Sequence, residues 1–215
     1  MEGKVRILLV DDDDEFALLL EKKIRHDERF EYMGHAPDKE TGVELARSLL
    51  PDVVIMDLAL SGTGASAGRR TGANGSAVYE GVEAAKEIRT TTSAKVVFLS
   101  ATDEPETMKT ASKRAFASGY VCKSQHQNIT DAIYHLANES TPHKEFIKEL
   151  VLSDLTVSER AVLDEYLRER KLGSAGGISD AYGSSRKTKL NQRGRIVSKL
   201  NLKNADELFN VFNYW

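Results

Sequence analysis

The chain has 215 residues, is 40% apolar and 29% charged, and carries a net charge of −3, which are the proportions of a soluble globular protein with room for one large domain or two ordinary ones. No apolar run approaches the roughly 20 residues of a membrane span, the start MEGKVRILLV lacks a signal peptide's apolar core, and Cys122 stands alone, excluding an intrachain disulfide and a cysteine-rich zinc site. These features predict a cytoplasmic protein.

The first 138 residues alternate short apolar runs with helical patterns. VRILLV (5–10), FEYMGHA (30–36), DVVIMDL (52–58), AKVVFLS (94–100) and GYVCK (119–123) read as strands. Runs that are apolar throughout, such as VVIM, predict strands covered on both faces. Helical patterns fill about 15–26, 39–49, 81–90, 105–116 and 127–138, the first with Phe16, Leu19, Leu20 and Ile24 on one face. Five such repeats predict an α/β doubly wound, five-stranded parallel sheet. A partly helical linker, 139–153, follows. Pro142 breaks its polar start, and Phe146, Ile147, Leu150 and Val151 give it an apolar face. Residues 154–215 carry no strand signal. A capping box, Thr156 to Glu159, opens a helix whose apolar face is Val162, Leu163, Tyr166 and Leu167. GSAGG (173–177) breaks it, and a basic helix, SRKTKLNQRGRIVSKL, comes after. This tail holds 11 Lys/Arg against 8 Asp/Glu, a net of +3, so residues 1–153 carry −6. An acidic front and a basic back predict two modules, the second with an anionic partner.

In a parallel sheet of this kind, side chains at the strand ends share one rim. Here they are Asp11 and Asp12 after the first strand, Asp57 ending the third, Ser100 ending the fourth and Lys123 ending the fifth. Three carboxylates form a hard oxygen site suited to Mg²⁺. Asp57 can act as nucleophile towards a phosphoryl group, whose oxygens Lys123 and Ser100 can hold.

ILLVDDDDEF, PDVVIMDLALSG, VVFLSA and SGYVCKS resemble the motifs of bacterial response-regulator receiver domains, over about residues 4–138. The resemblance implies a flavodoxin-like fold in which Asp57 is phosphorylated by a sensor histidine kinase. It implies Asp12, Asp57 and the carbonyl of Ala59 as direct Mg²⁺ ligands, with Asp11 acting nearby through water. Ser100, Tyr120 and Lys123 would read out phosphorylation, and Asp13 and Asp14 would start the next helix. Three departures stand out. Ser61 replaces a usual Pro, TGASAGRRTGANGSAV (63–78) reads as a flexible insertion, and Phe116 replaces a usual Gly.

LTVSERAVL, RKTKLNQRGRIVSKLNL and NADELF resemble the LuxR/NarL-type helix-turn-helix DNA-binding domain. Ile178 and Tyr182 match its scaffold helix, and Arg193, Ile196, Lys199 and Leu200 match its recognition helix. The resemblance points to Arg186, Lys187, Lys189, Asn191, Gln192, Arg193, Arg195 and Lys199 as DNA contacts, with Asn191 or Gln192 reading bases. Three extra residues precede Ile178, Lys189 occupies a usual valine position, and Gly194 sits within the helix. Leu190, Gly194 and Val197 offer an alternative packing stripe that would rotate the reading face. The expected whole is a two-component response regulator, not an enzyme, that controls transcription and dimerises when phosphorylated, without membrane contact. Two alternatives stay open: a signalling adaptor whose tail binds protein, and a regulator that works without phosphorylation. A phosphohydrolase using an acid after the first strand is disfavoured, because Glu15 stands where Thr or Val is expected.

Overall fold

A computed structural model describes residues 3–60, 69–71, 77–101, 104–139, 141–172, 186–213 and 215. Five parallel strands, β1 (Val5–Val10), β2 (Phe30–Ala36), β3 (Val53–Asp57), β6 (Lys95–Ser100) and β7 (Gly119–Cys122), form one sheet in the order β2-β1-β3-β6-β7. Strand alternation divides the core in two. Ile7, Leu9, Val53, Ile55, Val97 and Leu99 face α1 (Asp14–His26) and α5 (Ile129–Asn138). Leu8, Val10, Val54, Met56, Val96 and Phe98 face α2 (Lys39–Leu49), α3 (Glu80–Thr91) and α4 (Pro105–Ala115). This is the doubly wound arrangement expected from the apolar runs.

Local chemistry sets the helix that follows the acidic run. Asp13 has extended backbone, and its carboxylate accepts from the amides of Glu15 (3.1 Å) and Phe16 (3.0 Å). It is the N-cap of α1, with Asp14 and Glu15 in the first turn, where the helix dipole favours acids.

The predicted insertion carries structure of its own. β4 (Arg69–Thr71) and β5 (Ala77–Tyr79) pair antiparallel as a separate ribbon, so a wholly irregular loop is not what forms there. The other insertion residues, and Ser61, lie outside the described residues.

The linker folds as α6 (Pro142–Leu152), capped by the Thr141 hydroxyl on the Lys144 amide, with Pro142 in its first turn. Ile147 and Val151 are buried, whereas Phe146 is exposed. The tail contributes α7 (Val157–Leu172), α8 (Arg186–Lys199) and α9 (Ala205–Asn213). The capping box forms as read: the Thr156 amide donates to Glu159 Oε2 at 2.8 Å, and the Glu159 amide donates to Thr156 Oγ1 at 3.3 Å. Ile178 and Tyr182 lie outside the described residues.

The tail core does not close on itself. Leu163, Tyr166, Ile196, Leu200, Leu208, Val211 and Phe212 share one apolar cluster with Val151 of α6 and Phe116 of the sheet layer. Phe116 takes left-handed backbone (φ 56°), a conformation that costs a bulky residue energy and explains why Gly is usual there. Its ring is 2% exposed, and packing against the tail offsets that strain.

Candidate functional site

The strand ends meet as expected. Asp11 and Asp57 are buried, Ser100 is buried at the end of β6, and Asp12 is exposed at the mouth. Ligand oxygens of Asp11, Asp12 and Asp57 all lie within 4.8 Å of one another. Lys123 reaches into this group. Its Nζ stands 2.8 Å from Asp11 Oδ2 and 3.1 Å from Asp57 Oδ2, and it lies over the Phe16 ring at 4.8 Å. Asp57 Oδ1 also accepts from the Ala59 amide at 3.2 Å. The Asp11 backbone carbonyl lies 2.7 Å from His35 Nε2, which fixes the turn after β1.

The electrostatics are those of too many anions for one cation. Burial pushes the Asp57 carboxyl above its ordinary range, against the pull of Lys123 and the Ala59 amide. Burial, then the nearby Asp57 charge, raises Asp11 despite its bond to Lys123. Burial would lower Lys123, but its bonds to both carboxylates and their charges outweigh it and hold the ammonium above its usual range. The two directions agree physically: a shared cation is strongly held, yet it cannot neutralise two buried carboxylates. Asp11 Oδ2 lies near Lys123 but has no well-directed hydrogen bond. A buried oxygen in that state, beside two further carboxylates, fits a hard divalent cation.

Glycine is needed at one point of this rim. A Cβ on Gly81 would fall inside the carbonyl oxygens of Asp57 and Leu58, so α3 can begin directly beneath the acid only with no side chain there. Tyr120 is not on the rim. It lies in register with Phe98, packs against the α2–α4 side of the core, and meets His143 of α6.

In the tail, α8 sorts the predicted contacts into two groups. Ile196 and Leu200 are buried, whereas Leu190 is exposed, so the alternative stripe through Leu190 is not the packing face. Lys189 pairs with Glu165 at 2.8 Å and Lys199 with Glu159 at 2.7 Å, while Gln192 donates to Ser158 at 2.9 Å. Arg193 stacks over Tyr166 at 4.9 Å. These four face α7. Lys187, Asn191 and Arg195 are exposed, and among the described residues no side-chain hydrogen bond or ion pair holds them. The side chain of Arg186 lies outside the described residues.

The sequence reading missed two residues. Arg89 is fully buried and donates to the carbonyls of Phe116 (3.0 Å), Ala94 (3.1 Å) and, in the tail, Val211 (2.7 Å). His143 was passed over as linker. Phe116 in a glycine position was the available signal for a tail docked beside it.

Residues 7–134 match the family model described as the response regulator receiver domain. The transcriptional regulatory protein LiaR of Bacillus subtilis is 29% identical over 78% of this chain and 73% of its own length. The response regulator GacA of Pseudomonas aeruginosa is 26% identical over 95% and 93%. A protein-glutamate methylesterase/protein-glutamine glutaminase of Myxococcus xanthus is 40% identical over 62 residues, but the match spans 18% of that protein. Among solved structures, the RcsB–DNA complex covers 99% of both chains at 19% identity with a TM-score of 0.51. A LuxR-family response regulator from Aurantimonas covers 71% of this chain and 98% of its own at 24% identity, with a TM-score of 0.52. The fold of the whole chain, a sheet with an acidic rim followed by helices, is like that of RcsB over nearly its full length, and the chain belongs to the response regulator receiver domain family.

Proposed function

We propose that Asp57 accepts a phosphoryl group from a sensor histidine kinase and that this controls DNA binding by the tail, and so transcription, from residues 154–215 coupled to a receiver of residues 1–138. One observation carries the reading: a buried carboxylate at the end of β3, held 3.1 Å from a lysine that also holds Asp11. Attack of an Asp57 oxygen on phosphorus forms an acyl phosphate as the bond from phosphorus to the donor nitrogen breaks. Lys123 is placed to follow the new phosphoryl oxygens, and Ser100 and Tyr120 complete the readout. Mg²⁺, held by Asp12, Asp57 and the Ala59 carbonyl with Asp11 behind, would supply positive charge to the phosphoryl oxygens. In the tail, Lys187, Asn191 and Arg195 form the surface offered to DNA, while Lys189, Gln192, Arg193 and Lys199 hold α8 on α7. RcsB has been solved on DNA, and its likeness in fold supports the same role here. Phosphorylation would favour a homodimer on paired half-sites.

Intact-mass spectrometry tests the receiver reading. With a small-molecule phosphodonor and Mg²⁺, wild type should gain one phosphoryl mass and Asp57→Asn none. Equal labelling of both would overturn it.

A further inference from the structure

The linker helix has two ends with different partners. At its start, the His143 ring meets the Tyr120 ring edge to face, with centroids 4.3 Å apart and planes at 89°. His143 Nε2 is buried and has no hydrogen-bond partner among the described residues. The contact that holds the ring among the described residues is the edge-to-face packing on Tyr120. At the other end, Val151 enters the tail core beside Phe116 and Leu200. Between them, the Lys144 carbonyl accepts from the Trp215 indole at 3.4 Å. The helix is 11 residues long, so it spans about 16 Å as one stiff body.

The input end is tied to the rim by strand register. Ser100 pairs with Cys122 and Phe98 with Tyr120, and Lys123 follows Cys122 directly. A phosphoryl group that draws in Ser100 and Lys123 therefore pulls on the strand that carries Tyr120.

We propose that the Tyr120–His143 ring contact is the joint through which the state of Asp57 reaches α6 and, through Val151, the tail. This rests on the phosphoacceptor reading above and adds its route. His143 is a positioning residue: it touches neither the phosphoryl site nor DNA. An imidazole with an unsatisfied buried nitrogen is a weak anchor, and it can let go when its ring partner moves. A helix fixed only by deep apolar packing would not respond to so small a shift.

Hydrogen exchange of 142–152 in the full chain, with and without beryllium fluoride and Mg²⁺, tests this without DNA. Loading of Asp57 is followed separately by fluorine NMR. In wild type, loading should speed exchange in α6 by about fivefold or more. His143→Phe keeps the ring edge but removes the unsatisfied nitrogen, so it should load normally while α6 exchange stays slow and no longer responds. His143→Ala should load normally, yet show fast α6 exchange that no longer depends on loading. A loaded wild type with unchanged α6, or a full response in His143→Ala, would overturn the joint. A wild type that does not load would overturn the receiver reading and the joint with it.

Discussion

At the residue scale, Asp57 is held in a form that the metal-free fold disfavours. The carboxyls of Asp11 and Asp57 lie above their ordinary value of 3.8, chiefly through burial. A raised folded value means the native state binds more protons than the unfolded chain. The stability this gives is fully present below about pH 4 and is lost as pH rises through the raised values. The contribution of this pair should therefore be smaller at pH 7.5 than at pH 4, read as the difference in melting temperature between metal-free wild type and Asp57→Asn. Asp57→Asn should raise the metal-free melting point at pH 7.5, and Mg²⁺ should narrow the gap by stabilising wild type more. Calorimetry with and without Mg²⁺ at the two pH values checks both signs. Gly81→Ala should act the other way. Its methyl would strike the Asp57 carbonyl, so a loss of several kcal/mol and slower phosphorylation are expected, read by denaturant titration and intact mass.

The acidic rim was legible because each of its residues ends a strand, and strands announce themselves by apolar runs. Asp13 was legible as a helix start because capping is local. Arg89 was not, because its three acceptors lie 27, 5 and 122 residues away in sequence. Nothing in a helical pattern marks an arginine as buried when all its partners are backbone carbonyls.

At the element scale, α8 shows how a sequence pattern can be right about the helix and incomplete about its face. Lys189 in a usual valine position looked like a defect. The structure gives it Glu165, and both side chains are less than one-fifth exposed. Lys189→Val alone should then cost about 1–3 kcal/mol, because Glu165 is left part-buried and unpaired. Lys189→Val with Glu165→Leu should recover most of it, and a double-mutant cycle measures the coupling. The same partition predicts DNA behaviour. Asn191→Ala should reduce discrimination at one base position by about 1–3 kcal/mol. Gln192→Ala should change stability more than discrimination, because its amide is spent on Ser158. Competition binding against single-base variants of a selected site separates the two.

For the whole molecule, the seam between sheet and tail decides what can move. Arg89 Nη2 bonds Val211, Asn210 bonds the Thr90 carbonyl at 2.8 Å, Lys86 bonds the Asn201 carbonyl at 2.6 Å, and Lys113 pairs with Asp154 at 2.7 Å. The five strands and the helical tail could be read in sequence. Their docking could not, because it is made of single long-range bonds and not of a repeating pattern. Full-length protein and residues 153–215 should both bind DNA more weakly as salt rises, with a log–log slope of about −0.9 for each phosphate neutralised. Arg195→Ala should make that slope shallower by about one unit. If docking restrains the tail, the fragment should bind a single half-site more tightly than the unphosphorylated full chain. Anisotropy titrations over a salt series check all three.

The buried guanidinium also bears on how such proteins recombine. Receiver and tail look like interchangeable parts, yet Arg89 and Phe116 are written into the first part to suit the second. Cut away the tail, and one nitrogen of Arg89 loses its acceptor while an aromatic ring held in left-handed backbone loses its cover. A receiver transplanted onto a foreign output module would carry that unmet donor and bare ring with it. Grafting should therefore give sticky, self-associating chimeras until positions 89 and 116 are chosen anew, with glycine as the natural first choice at 116. At this seam one donor and one aromatic ring of the receiver depend on the tail for their partners.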